Sequence, residues 1–550
     1  MDYFVMSLFQ HVSRGLIAAL ILSTPAKAAM TAQDAWDFVL ALNADYGVTV
    51  EAARRNATTD TLTMTDVAYV MPLPGGAITG AVDEIRLVPQ GDGSVLIRIS
   101  DSHSLQLSMQ TEGDAAPLTA DITVEMPDLN VIVSGTPQDA SLNYFAPAIT
   151  LLLDDLQTQG ETVPMMAVVD LEGLEMTYAV RQTDRRETIS DGTVAAAGFV
   201  VSLSKPSGDG QFDAEGAFVE MGFSGTGNSG TAPSDLTTDT IAELLRQGLS
   251  TDASISHAGS DLSFTLVDGT ANAAGRITSD NGQLDLSLSQ AGLSYAGATE
   301  GLEASFESSE VPLPPLSAQA DAMEFSVSLP IQKSDTPGDV DLLIDLDGLS
   351  LAEPIWQIFD PAGVLPRGPA TLVLDLAAKA NWLTDILDPE VAGRVAGDVA
   401  GDVTGEVTGP VTGEVTGPVA DGIDSGPDGN TAPDTDAVPA EIHALDIRQL
   451  KLTAAGADLT GSGTFTFDNN VASPFGPGPK PQGKAQMRVD GVNALLQNLT
   501  RMGVLPQQQA MMAQMTLGLF ARPVEGEDAV TATFEITPDG AVMANGQRLQ

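Results

Sequence analysis

The stretch GDGSVLIRISDSHSLQLSM, Gly91 to Met109, carries the fold in miniature. Gly91, Asp92 and Gly93 form a turn signal. Val95, Ile97 and Ile99 then alternate with small or charged residues, and Leu105, Leu107 and Met109 repeat the pattern. A period of two puts apolar side chains on one face of a sheet and polar ones on the other. The same alternation recurs outward along the chain. Leu62 and Met64 stand among threonines, followed by Ile122 and Val124, by Leu284, Leu286 and Leu288, and by Phe325, Val327 and Leu329. Asp280-Asn281-Gly282 and Pro538-Asp539-Gly540 read as further hairpin turns. Strands and helices do not alternate regularly, which argues against a parallel, doubly wound sheet. The expected fold is mainly β, a β-rich α+β arrangement of long antiparallel, curved sheets with a few amphipathic helices.

The helices read as follows. Thr31 and Asp34 form a capping pair for a helix carrying Trp36, Val39 and Leu40, closed by Gly47. Thr238 caps another, with Ile241, Leu244 and Leu245 on its buried face. Pro147 to Gln157 and Ala377 to Leu387 also read as helices, as do Val492 to Met502 and Pro506 to Phe520.

The start of the chain reads as a secretory signal. Arg14 precedes the apolar run Leu16 to Leu22, Pro25 breaks it, and Ala26-Lys27-Ala28 supplies an A-x-A cleavage site at Ala26 and Ala28. The run is shorter than the ~20 apolar residues of a membrane span. No cysteine follows for a lipid anchor, and no later segment is long and apolar enough to span a bilayer. The expected location is the periplasm, with secretion from the cell as the alternative. The chain carries 24 Lys and Arg against 74 Asp and Glu, a net charge of −50, which argues against nucleic acid and anionic membrane faces as partners. With no cysteine there is no disulfide, thiol nucleophile or thiolate metal site.

Domain organisation is expected to run as signal peptide 1–28, an N-terminal β-rich unit 29–230 and a second β-rich unit 231–390. Residues 391–439 form an insertion, and 440–550 complete the second unit. The insertion is marked by valine every fourth residue, Val391 to Val419, in a V-[AT]-G-x repeat. Its glycine and acid content predicts disorder. Met71 to Pro74 and Val311 to Pro314 look like a weak internal repeat ahead of two strands.

Motif matches fail on context. Ser202 and Lys205 fit S-x-x-K, and Ser279-Asp280-Asn281 spells S-D-N, but no K-T-G follows and Ser202 sits on an alternating strand. Gly478, Gly483 and Lys484 have phosphate-loop spacing, yet Ala485 replaces the hydroxyl and a strand at Met487 and Val489 follows. His103, His257 and His443 lack ligand spacing. Asp345, Asp347 and Gly348 mimic a calcium loop whose first and last positions would be Leu343 and Pro354. Met511, Met512 and Met515 resemble a soft copper cluster, but their spacing reads first as the core face of a helix. No catalytic, cofactor-binding or metal-binding residue is assigned.

The run WQIFDPAGVLPRGPATLVLDLAAKA, Trp356 to Ala380, resembles a signature of an exported proteobacterial family catalogued as domain of unknown function 2125. Leu452 to Asn469, Gly491 to Pro506, Gly518 to Asp528 and Ala544 to Leu549 extend that resemblance. It implies a periplasmic location and no established activity. Physically, the signature reads as architecture. Trp356 and Phe359 anchor a short helix to the sheet, Asp360-Pro361 and Pro366 set turns, and Arg367 and Asp375 are expected to form a structural ion pair, with contact to a ligand as the alternative. A fainter resemblance, carried by Asn545-Gly546 and the strand before it, is to AsmA-like envelope proteins, and it implies curved sheets with a lipid-accepting groove. The leading expectation is a non-enzymatic periplasmic protein that binds lipid or another apolar envelope ligand. The alternatives are an assembly module that binds envelope proteins through sheet edges, and a hydrolase with a site made of scattered acids.

Overall fold

The computed structural model describes residues 30–44, 47–58, 61–73, 75–110, 117–158, 161–205, 210–229, 238–310, 313–384, 440–476 and 478–549. The expected signal segment with Ala26 and Ala28, and the V-[AT]-G-x repeat, lie outside these residues.

Helix α1 (Ala32–Ala44) opens the described chain. Thr31 and Asp34 form its reciprocal cap, with the Thr31 hydroxyl donating to Asp34 at 2.6 Å and the Asp34 amide donating back at 3.1 Å. One sheet then takes up all the strands. Strand β1 (Thr49–Ala57) pairs with β2 (Leu62–Leu73), and β2 with β3 (Gly76–Pro89). β4 (Val95–Ile99) and β5 (Ser102–Met109) lie end to end along β3. β6 (Leu118–Glu125) and β7 (Asn130–Thr136) lie end to end along those. Long strands follow in sequence: β8 (Asp139–Thr158), β9 (Glu161–Gln182), β10 (Arg186–Ser204) and β11 (Gly210–Ser229).

After helix α2 (Thr238–Arg246), β12 (Ser250–His257) and β13 (Ser260–Asp268) share β11 as their neighbour. β14 (Ala271–Ser279) and β15 (Asn281–Ser289) share β16 (Gly292–Ser308). β17 (Leu316–Leu329), β18 (Gly338–Leu351), the short helix α3 (Glu353–Phe359) and β19 (Ala370–Trp382) come next. β19 pairs with β20 (Ala440–Ala454), so the strands on either side of the repeat are neighbours. β21 (Ala457–Ala472) and β22 (Pro479–Asp490) lead into helices α4 (Val492–Met502) and α5 (Gln507–Phe520). β23 (Arg522–Pro523), β24 (Ala529–Ile536), β25 (Val542–Ala544) and β26 (Gln547–Arg548) close the sheet. Every pairing between these strands is antiparallel. Apart from the end-to-end pieces, strand order is chain order, so the architecture is one long meander.

A line of irregularity crosses this meander from β1 to β18. Between β1 and β2 the regular ladder skips the position of Ala53 and Asp66, and between β2 and β3 it skips Asp66 and Asp83. The line continues through Ser100 and Asp101, which separate β4 from β5, and through the turn at Asp128 between β6 and β7. It passes the skipped Pro147 and Gly173, then Ala195 and Glu220. Ala258 and Gly259 break β12 from β13, and Asp280 breaks β14 from β15. Gly301, Asp321 and Gly348 complete it. Asp66, Asp128, Gly173, Glu220, Gly301 and Gly348 all adopt left-handed backbone conformations. Irregularities of this kind bend a strand and increase its local twist. Aligned across neighbouring strands, they crease the sheet along one line.

The crease explains several departures from expectation. Pro147 to Gln157 is strand, not helix. Pro147 has no amide to donate and sits where the ladder skips a pair. Ala377 to Trp382 is strand as well, because β18 and β20 flank it on both sides and tertiary pairing overrides the helix preference of its alanines. Asp280 does not turn a hairpin. It bends a strand that runs on from β14 into β15, both paired to β16.

Candidate functional site

Directly paired residues in antiparallel strands share a face, so the faces can be traced from strand to strand. On one side of the crease, Tyr69, Leu105, Ile122, Leu153, Ala167, Val201, Ala214, Phe264 and Gly275 occupy successive paired positions. Phe306 and Leu316 continue the row. On the other side, Leu87, Ile97, Val131, Tyr144, Met176, Gly192, Phe223, Ile255 and Leu284 do the same, and Phe325, Ile344 and Leu374 extend it.

Within each strand the apolar phase slips by one residue at the crease. On β11 it runs Phe212, Ala214, Phe218 and then Met221, Phe223 on either side of Glu220. On β17 it runs Leu316, Ala318, Ala320 and then Met323, Phe325. The bend absorbs this slip. Met64 and Val67 flank Asp66 and still belong to one buried cluster. The two apolar rows therefore form a single creased face, a trough running across the strands.

Two parts of this face are covered. Trp36 and Phe38 of α1 pack on Leu62, Met64, Leu87, Val95 and Val133 at the N-terminal end. α2 lays Ile241, Leu244 and Leu245 against Leu288, Leu293, Leu329 and Ile331. The middle is open. Val169, Leu203, Phe264, Leu266, Ile277, Leu284, Tyr295, Phe306, Met323 and Ile344 all lie on this face and are exposed. One recess on this face has a volume of about 540 Å³ and is lined chiefly by Phe199, Leu262, Phe264, Ile277, Phe306 and Leu316, with Ile355 of α3 beside it.

Aromatic rings pack over paired glycines on the trough floor. Tyr69 covers Gly80, Phe199 covers Gly216, Phe223 covers Gly192, Phe264 covers Gly275 and Phe325 covers Gly297. A Cβ at any of these glycines would collide with the ring. The arrangement spreads aromatic surface over the floor without filling the space above it.

Polar groups on this face are few. The Tyr69 hydroxyl lies 3.1 Å from His103 Nε2. Burial pushes Tyr69 up to about 12 and lowers His103. His257 lies against Phe218 near the crease and is also lowered by burial.

The signature residues sit beside the trough and build its rim. Asp360 is fully buried and is the only charged residue among the buried ones described. Its two carboxylate oxygens accept the amides of Val364 and Leu365, each at 2.9 Å, which fixes the turn after α3. Trp356 and Phe359 touch each other with ring centroids 5.0 Å apart. Phe359 is exposed and does not anchor the helix to the sheet. Arg367 does not pair with Asp375. It reaches Glu353 and the Asp360 carbonyl and lies 5.6 Å from the centre of the Trp356 ring. Asp375 instead accepts from Arg448 at 3.1 Å, which also binds Asp341. Arg367 thus turns back on its own segment, whereas Arg448 and Asp341 lie on the strands flanking Asp375, so spacing within the signature could not reveal the partner of Asp375.

The remaining motif residues have structural partners. Ser202 donates to Asp213 at 2.6 Å, which holds that carboxyl below its usual range, and Lys205 pairs with Asp268. Gly483 and Lys484 lie within β22. Among the described residues no group of three or more His, Asp or Glu is placed to hold a metal ion. Met511, Met512 and Met515 point to solvent rather than into a core, because α5 packs through Ala510, Ala513, Leu517 and Phe520 on its other side. Asn545 closes the C-terminal turn in a left-handed conformation, donating to the Phe520 carbonyl and accepting the Thr533 amide.

Fold and site together define a β-rich protein with one creased antiparallel sheet and an open apolar trough. Residues 253–549 match the family described as "Uncharacterized protein conserved in bacteria (DUF2125)", and the chain belongs to that family. No curated protein and no solved structure matches it.

Proposed function

We propose that the protein binds lipid acyl chains along the trough, in the periplasm, and holds them without chemical change. The observation that carries this reading is the continuity of exposed aliphatic and aromatic side chains on one face from β9 to β18. A ligand for such a surface needs length and apolar area and has few hydrogen bonds to satisfy, which describes an acyl chain. Burial is worth about 0.8 kcal/mol per methylene, so a long chain gains enough to offset the cost of association. The exported location rests on the A-x-A site at Ala28.

Native mass spectrometry of the mature protein, purified from the compartment where it resides, tests the proposal. Co-purifying lipid is expected. Replacing Ile277 and Phe306 by Glu puts carboxylates on the trough floor and should remove that lipid with the circular dichroism unchanged. A wild-type protein that is repeatedly empty, and takes up no fluorescent fatty acid in a saturable way, would end it.

A further inference from the structure

The C-terminal helices carry a second apolar surface, separate from the trough. On α5, Met511, Met515 and Leu519 recur every four residues, and Met512 lies beside them on the same arc. Their exposures are 57%, 69%, 65% and 53%, and Val504, in the link from α4, is 63% exposed. Large apolar side chains exposed to this degree, in one group, mark an interaction surface.

Charge says what kind. The chain as a whole is strongly acidic, at −50, yet Gly491 to Pro523 contains no Asp or Glu at all. Its charged residues are Arg501 and Arg522, both exposed. The nearest acids serve the base of the hairpin: Asp490 and Glu527 hold Arg488, each at 2.5 Å, and Asp528 caps α4 through the amides of Asn493 and Ala494. The helical pair itself thus carries none of the charge that would repel phosphate headgroups.

We infer that α4 and α5 dock this protein on a lipid bilayer surface. The α5 stripe lies in the interface and the two arginines meet lipid phosphates. α5 rests on the membrane and does not cross it, since among the described residues no helix is long and apolar enough to span. A second copy of the chain is the poorer occupant, because its own helical pair has no Asp or Glu to meet Arg501 and Arg522.

The inference does not depend on the trough's being a lipid site, and the test separates them. The mature full chain is floated through a density gradient with vesicles of phosphatidylethanolamine and phosphatidylglycerol, about 3:1. Wild type should rise with the vesicles. The variant carrying Met515→Asp and Leu519→Asp should lose at least tenfold in partitioning. Both side chains are exposed, so the fold should persist, as circular dichroism would verify. The trough variant Ile277→Glu/Phe306→Glu should float like wild type. In a Met515→Trp variant, emission should shift to the blue on vesicle addition and be quenched by brominated lipid. Wild type remaining with the unbound fraction, or equal flotation of the Asp variant, overturns the inference. So does a concentration-dependent dimer that the Asp variant abolishes, in the absence of flotation.

Discussion

At the scale of single residues, Asp360 and His103 show how the chain handles polar groups near an apolar face. Asp360 has no exposed surface and accepts two backbone amides. Asp360→Ala would leave both amides without that partner, and hydrogen bonds to a charged group are worth about 1.5–3 kcal/mol each. We expect a loss of roughly 3 kcal/mol, read as a lower urea midpoint at unchanged slope, with Asp360→Asn losing less. His103 titrates below its ordinary range because burial disfavours its charged form. The unfolded chain therefore takes up the proton first as pH falls below about 6.5. Stability contributed by neutral His103 is full above that value and is lost as pH falls toward the lowered folded value. Urea titrations between about pH 7 and 5 should show this decline, and His103→Phe should flatten it. An unchanged slope in that variant would mean that other groups carry the effect. Asp360 was legible in the sequence as a turn residue. The partner of Asp375 was not, because the neighbouring strand β20 supplies it as Arg448, while Arg367 turns back to Glu353 and Asp360 of its own segment.

At the scale of the element, the crease is the feature that alternation alone did not disclose. Period two located the strands, and nearly all of the apolar runs named from sequence lie in them. The signal for the crease was present as a slip in phase: Leu316, Ala318 and Ala320 are even, while Met323, Phe325 and Val327 are odd. A one-residue slip reads as the end of one strand and the start of another unless its neighbours slip in register. That alignment is a property of the sheet. Gly348 tests its importance. It is left-handed, and a side chain there would meet the Asp321 carboxylate. Gly348→Val combines the left-handed penalty of about 1–2 kcal/mol with that collision. The melting temperature should fall by several degrees, whereas the same change at Gly368, where a Cβ meets nothing within 4 Å, should leave it nearly unchanged. Equal behaviour of the two variants would remove the crease from the list of structural requirements.

At the scale of the whole molecule, chain order and strand order coincide, so each strand depends mainly on its immediate neighbours. The pairing of β19 with β20 means that residues 385–439 can be replaced by a short Gly/Ser turn of about four residues without disturbing the ladder. Loop closure costs about 0.6 kcal/mol per doubling of length. The shortened chain should therefore gain roughly 2 kcal/mol, seen as a higher denaturant midpoint. Loss of folding in that variant would show that the repeat contributes contacts of its own.

Local and additive properties were settled by the amino-acid sequence: strands from alternation, four helices from caps and spacing, charge from composition, and family membership from a signature. These depend on neighbours along the chain. The trough, its aromatic floor and the exposed stripe on α5 were decided only by the tertiary structure. Whether an apolar residue ends up in a core or on an open face depends on what packs above it. Met515 has the spacing of a core residue, and Phe264 the alternation of one. Nothing among the described residues covers either, because a single-layered sheet has more apolar face than its few helices can bury.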